Sequence, residues 1–294
     1  MDKITVVALE DLPKISRATS VSCCLALSIL YVASLYVWKD SQQRNHPSTV
    51  KKRFCSVSIV MLIAPIFVYN FSSKELLKHC SLFEILGLRW KGLVAAFVIP
   101  SLLTALLFLG PLSVQLYNGH LQLYSRLQYW NCCINNVHWL RNHVVAPLSE
   151  EFTFRACMMP LILQSFTPVK SVFITPLFFG VAHFHHISER LRSGLDIKTA
   201  VIVSCFQLTY TTLFGFYSAY LFAKTGHFIA PVIAHAICNH MGFPEFQELF
   251  QQNTSRKIIF CIIYVLGLIG WIVLLPVVTN PSWYGNTLFW RAAI

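Results

Sequence analysis

Ala146-Pro-Leu-Ser-Glu-Glu-Phe-Thr-Phe-Arg155 is the stretch on which the reading of this chain turns. Glu150 and Glu151 stand side by side in it, and they are the only acidic residues between Ile85 and Ser188. Their flanks are mostly apolar. A carboxylate at membrane depth is costly to keep, so it is a functional candidate by default. Two apolar segments downstream each carry a histidine: Phe178-Phe-Gly-Val-Ala-His183 and His235-Ala-Ile-Cys-Asn239. The chain reads as a scaffold that brings these three segments together.

The composition says what solvent that scaffold needs. Apolar residues make up 55% of the 294 positions and charged residues only 12%. Ordinary globular chains carry roughly 25% charged residues. So little charge cannot solvate a surface of this size, and a lipid bilayer is the natural medium. The net charge of +11 does not point to nucleic acid, because the basic residues collect in short gaps between apolar runs. Lys39, Arg44, Lys51, Lys52 and Arg53 form one such gap. Positive loops beside spans stay cytoplasmic as a rule. That would place Tyr117 to Val145 on the cytoplasmic side too, while Lys74, Lys78, Arg89 and Lys91 fall on the opposite side. The ten cysteines show neither CxxC pairs nor zinc-ribbon spacing, and most lie within apolar runs. They read as free thiols acting as small hydrophobes. The first twenty residues include Asp2, Glu10, Asp11 and Pro13 and lack the basic-then-apolar order of a cleavable leader. The first apolar run is therefore expected to be a retained span.

Apolar runs cover about Val21–Trp38, Phe54–Phe71, Gly92–Leu116, Phe152–Phe166, Pro168–Phe184, Ala200–Ala223, Phe228–Phe243 and Ile258–Val278. The length rule gives about seven or eight transmembrane helices, an all-α polytopic membrane bundle in one integral domain over 1–294. Ser72 to Lys91 reads as a loop with a short interfacial helix. Tyr117 to Val145 reads as a loop, a surface helix or both. Pro147 either starts the helix of the Glu-Glu stretch or kinks a longer one.

Spacing separates the two glutamates. Glu151 and Arg155 are four positions apart, share a helix face and can pair. Glu150 is rotated by about 100° and points elsewhere, free to meet a substrate or a water. An unpaired, sheltered carboxylate suits a general base. The plainer alternative is a structural Glu-Arg pair with a spare acid beside it. His183 could polarise a water, or its ring could simply cap a backbone carbonyl. His235 and Asn239, also four apart, could donate to an oxyanion. They could equally be interhelical glue, the commoner role of such residues in membrane helices. Together they make the minimum set for hydrolysis by an activated water: a base, an electrostatic partner and oxyanion donors. HExxH and GxSxG are both missing. Two alternatives stay open: a zinc held by Glu150, His183 and His235, and a transporter using the same cluster as a proton or ion path.

Glu150-Glu151-x-x-x-Arg155, Phe179-x-x-x-His183 and His235-x-x-x-Asn239 stand in that order, each in an apolar setting. In this the chain resembles the type II CAAX prenyl endopeptidases, the Ras-converting membrane proteases of the wider Abi family. The resemblance is strongest over about Asn142 to Phe243, the expected catalytic core. It implies a hydrolase that removes the aaX tripeptide from the prenylated C-terminus of CaaX proteins. Farnesylated or geranylgeranylated Ras-like small GTPases would be the partners, together with the bilayer and without nucleic acid. It implies the endoplasmic reticulum membrane, with the active site open to the cytosol. It also implies roles: Glu150 and His183 activate a water, His235 and Asn239 form the oxyanion hole, and Glu151 and Arg155 support them. The implied mechanism is glutamate-dependent and uses no cofactor or metal.

Overall fold

The computed structural model describes residues 8–38, 44–244 and 246–291. Lys39 of the basic gap and Asp2 of the leading segment lie outside the described residues. The described residues form helices and no strands. In chain order the α-helices are α1 (Arg17–Ser34), α2 (Pro47–Phe71), α3 (Lys74–His79), α4 (Leu82–Ile85), α5 (Leu93–Leu107) and α6 (Leu109–Tyr117). Next come α7 (Leu127–Ile134), α8 (Val137–Leu140), α9 (Ala146–Glu151), α10 (Met158–Leu163), α11 (Pro168–Ala182) and α12 (His185–Arg192). The last are α13 (Ile197–Thr225), α14 (Ile229–Met241), α15 (Phe246–Phe250) and α16 (Thr254–Val278).

The organising element is longer than the sequence suggests. Two π-helical turns, Arg141–Val145 and Phe152–Cys157, link α8, α9 and α10. The backbone is therefore helical without a break from Val137 to Leu163. Pro147 lies inside this helix rather than at its start. A π turn widens the ladder by one residue, and such turns recur at functional sites. Here the N–H of Ala146 donates to the carbonyl of Arg141 in that wide register. The next donor in the register would be Pro147, which has no N–H. The carbonyl of Asn142 is thereby left without a helical partner.

The C-terminal half of this central helix is buried without exception from Glu151 to Leu163. α1, α2, α11, α13 and α14 pack around it. Leu27 and Tyr31 of α1, Val60 and Ala64 of α2, and Phe179 of α11 join its Phe154, Met158 and Ile162 in the main apolar cluster. α11 and α13 approach closely because glycines stand at the contact. A Cβ at Gly180 would lie 2.4 Å from Oγ1 of Thr212, and one at Gly215 only 2.8 Å from Cβ of Pro176. Small residues at the interface are how membrane helices gain packing energy where lipid removes the hydrophobic drive between them.

The outside of the bundle is apolar as well. Leu62 on α2 is 76% exposed and Val94 on α5 is 75% exposed, and α16 presents rows of exposed Ile, Leu and Val. Contiguous apolar surface on this scale needs lipid around it. Among the described residues, four helices are long and apolar enough to cross a membrane: α1, α2, α13 and α16. The pair α5–α6, bent by 73° around Phe108, makes a fifth if counted as one span. The other apolar runs fold differently from spans of standard length. α11 has 15 residues and α14 has 13, short of the ~20 that one crossing takes. The central helix is long enough but carries Arg141, Glu150, Glu151 and Arg155, and protein rather than lipid surrounds its buried half. The chain is an all-α membrane helix bundle.

Other boundaries also moved. α2 starts at Pro47, with the side chain of His46 capping it, so Lys51, Lys52 and Arg53 belong to its first turns rather than to a loop. Ser72 to Lys91 holds two short helices, the second opened by a capping box between Ser81 and Glu84. Arg89, which looked misplaced by charge, is a helix cap. Its guanidinium donates to the carbonyls of Thr225, Gly226 and Gly285, which stabilises the C-terminal end of α13.

Candidate active site

The residues singled out in the sequence come from three helices: Glu150, Glu151 and Arg155 from the central one, His183 from the end of α11, and His235 and Asn239 from α14. Glu150, His183, His235 and Asn239 all line one cavity of about 370 Å³. Glu151 and Arg155 lie behind its wall, both fully buried.

Glu151 accepts from three donors. Nη1 of Arg155 donates to Oε1 at 3.0 Å, Nδ1 of His235 donates to the same oxygen at 2.7 Å, and the Ser218 hydroxyl donates to Oε2. Arg155 in turn lies over the faces of Phe179, 4.4 Å from the centroid, and Phe214, at 5.8 Å. Its Nε and Nη2 have no hydrogen-bond partner. The aromatic faces give the guanidinium the electrostatic contact that an acceptor would otherwise supply. Gly215 makes room for it, since a Cβ there would stand 3.3 Å from Nη2.

Glu150 is the opposite case. The one-residue step along the helix turns it by about 100° to the cavity side, and its sole ion-pair contact among the described residues is Nε2 of His235 at 3.9 Å. His235 therefore stands between the two carboxylates, Nδ1 on Glu151 and Nε2 towards Glu150. Phe214 packs against the ring at 4.6 Å between centroids and limits its rotation.

His183 sits at the C-terminal end of α11, where the last carbonyls lack helical donors. Its Nδ1 donates to the carbonyl of Phe179 at 2.7 Å. A carbonyl can only accept, so the proton is on Nδ1 and Nε2 of the neutral ring is a lone-pair acceptor. The capping role and a chemical one are thus compatible, because the cap fixes the tautomer. Asn239 is exposed, one turn beyond His235, and its Nδ2 donates to the carbonyl of Asn142 at 2.8 Å. That is the carbonyl orphaned by Pro147. One of the two amide protons of Asn239 is thus engaged, and the other is not committed by that bond.

Several neighbours were not anticipated from sequence. Ser218 is one of several hydroxyl residues on α13, and Tyr31 of α1 bonds Ser149 at 3.0 Å in the cavity lining. No spacing marks either one. His185 and His186 line the cavity as well. Among the described residues, the one trio whose ligand atoms gather closely enough for a metal is His185, His186 and Glu189. Nη1 of Arg44 stands 3.1 Å from His186 and 2.8 Å from Glu189, so a fixed positive charge already sits where a cation would bind. Glu150, His183 and His235, the trio first considered for zinc, do not form such a group among the described residues.

Comparison with known proteins follows the same three motifs. The family described as type II CAAX prenyl endopeptidase Rce1-like matches residues 134–241, a range that holds all six residues above. "CAAX prenyl protease 2" of Homo sapiens is 40% identical over 276 residues, covering 91% of this chain and 83% of the relative. The protein of the same name in Rattus norvegicus is 36% identical, covering 91% and 82%. The one in Arabidopsis thaliana is 28% identical, covering 94% of each. No solved structure matches the chain. The extent of the first relative and the motif-bearing match together show that this chain belongs to the type II CAAX prenyl endopeptidase family.

Proposed function

We propose that this chain hydrolyses the peptide bond after the prenylated cysteine of CaaX proteins, Ras-like small GTPases among them, and releases the aaX tripeptide. It works in the endoplasmic reticulum membrane with the cavity open to the cytosol. The observation that carries this reading is the convergence of Glu150, His183, His235 and Asn239 on one cavity inside an apolar bundle. A prenyl chain partitions into lipid, so a substrate that carries one arrives in the bilayer plane. Val32, Leu35, Phe54 and Val57 give the same cavity an apolar wall suited to such a chain.

The roles follow from the donors and acceptors. Glu150 takes a proton from a water held between its carboxylate and Nε2 of His183. The resulting hydroxide attacks the scissile carbonyl. Negative charge develops on that oxygen, and His235 and Asn239 are the donors nearest to receive it. Because Nδ1 of His235 is committed to Glu151, Nε2 can donate only from the imidazolium form. In that form the cluster is electrically balanced. Glu150 and Glu151 contribute two negative charges, Arg155 and imidazolium His235 two positive ones, and the set sums to zero. A buried cluster with no net charge avoids most of the penalty that an uncompensated ion would carry. Collapse of the intermediate returns the proton from Glu150 to the leaving amine of the tripeptide. Glu151, Arg155 and Ser218 act by holding His235.

The test is direct. Purified protein in lipid nanodiscs should release the tripeptide from a farnesylated CaaX peptide and leave the unprenylated peptide intact. Equal cleavage of both peptides, or of neither, would overturn the proposal.

A further inference from the structure

Beyond the catalytic groups, the same cavity is lined by three arginines: Arg44, Arg53 from the first turns of α2, and Arg141 from the first π turn of the central helix. A hydrolytic site needs no such charge. Among the described residues, Glu189 is the one carboxylate in ion pairs with the group, 2.8 Å from Arg44 and 3.3 Å from Arg53. Glu189 is already saturated, since Tyr36 donates to it at 3.0 Å and His186 at 2.8 Å. Burial raises its carboxyl, but the hydrogen bond from His186 and the charge of Arg44 outweigh that and hold it well below the usual carboxylate range. Three positive charges against one negative charge leave a surplus of two facing the cavity. Asp40 lies outside the described residues, yet the segment from Lys39 to Arg53 carries five basic residues against that one acid.

Two of the arginines have unused binding capacity. Nε of Arg53 is buried without a hydrogen-bond partner. Arg141 forms no ion pair among the described residues; its Nε and Nη1 reach only the side-chain oxygens of Asn142, at 2.9 Å, and Asn45, at 3.0 Å. The cluster sits one ring beyond the catalytic histidine, for His186, in contact with Arg44, is 5.8 Å from His183 between centroids.

We infer that Arg44, Arg53 and Arg141 bind the C-terminal α-carboxylate of the substrate and so set which peptide bond reaches Glu150. This rests on the cleavage proposed above, because it takes the scissile bond to be three residues from the chain end. Three extended residues span about 10 Å. Arg141 precedes Glu150 by nine positions on one helix, roughly 13 Å along the axis at 1.5 Å per residue. The length of an arginine side chain closes the difference. A guanidinium matches a carboxylate with two parallel hydrogen bonds, which fixes position as well as charge. With the carboxylate held by the arginines and the prenyl chain against the apolar wall of the same cavity, the bond between them has a single register.

The experiment compares a farnesylated CaaX peptide with a free C-terminus against the same peptide ending in a carboxamide, using the full chain in nanodiscs. Charged hydrogen bonds of this kind place the expected preference of wild type for the free acid at about 10–100-fold in kcat/KM, mainly through KM. Arg141→Gln and Arg53→Gln should each lower cleavage of the acid towards that of the amide and leave the amide rate within about twofold, which sets an acceptor contact apart from general damage. Equal cleavage of acid and amide by wild type overturns the inference while leaving the protease intact, and that arm needs no variant to fold. An undiminished preference in both variants also overturns it. A loss that is the same for both peptides and appears only in discs with anionic lipid would assign the arginines to lipid headgroups instead. Failure to cleave either peptide counts against the protease reading itself.

Discussion

The two halves of the central helix are made of one continuous backbone and do opposite work. From Glu151 to Leu163 every residue is buried in protein, and its charged groups are matched to one another. From Val137 to Glu150 the helix is half-exposed, carries a π turn and a proline, and forms one side of a cavity. The boundary runs between two adjacent glutamates. Glu151 has three donors, whereas Glu150 has one distant contact. The same side chain is therefore a structural anchor at one position and, in the proposed mechanism, the base at the next. A change of helical phase by one residue is enough to separate the roles.

That contrast can be attacked from either side. Replacing Glu150 by Gln should leave the thermal unfolding temperature of the detergent-solubilised protein unchanged and reduce tripeptide release by up to ~10⁴-fold, the upper range for loss of a general base. The same loss with intact folding is expected of His183→Ala. Glu151→Ala should act on stability first. It strands the fully buried Arg155, and breaking a buried pair from one side costs about 3–5 kcal/mol. The readout is the unfolding midpoint. Adding Arg155→Met to Glu151→Ala should recover part of it, because the uncompensated charge is then gone.

Smaller effects follow. Asn239→Ala should cost about 10²–10³ in turnover if the amide is an oxyanion donor. A rate near wild type would assign Asn239 to capping the carbonyl of Asn142 alone. Gly215→Ala adds a methyl 2.8 Å from Pro176 and 3.3 Å from Arg155. Overpacking of this kind typically costs ~1–3 kcal/mol, and here a fall in activity should accompany it as Arg155 shifts. Ser218→Ala removes one donor to Glu151 and should cost the least, about 1–3 kcal/mol at most for a hydrogen bond to a charged group.

Much of this arrangement was legible in the sequence because it is local. The rotation between Glu150 and Glu151, the pairing of Glu151 with Arg155 and the shared face of His235 and Asn239 are all helical geometry. The membrane class followed from the shortage of charge. What stayed hidden depends on long-range packing or on backbone register. Neither π turn has a composition signal, so the choice between Pro147 as a helix start and as a kink in a longer helix stayed open, and the start at Val137, ten residues earlier, stayed hidden. Short buried helices such as α14 look like spans when only their apolarity is counted, since protein and lipid are equally apolar neighbours. Ser218 became visible as a partner of Glu151 only once α13 was packed beside the central helix. Arg89 looked like a topogenic loop charge until the end of α13 was seen to rest on it.

The division of labour between the two glutamates is tested most directly by assaying Glu150→Gln for release of the aaX tripeptide from a farnesylated peptide, on protein shown to unfold at the wild-type temperature. Folded protein without measurable release is the expected result. Folded protein that still cleaves at a rate comparable to wild type would contradict it, and would move the base to another group in the cavity.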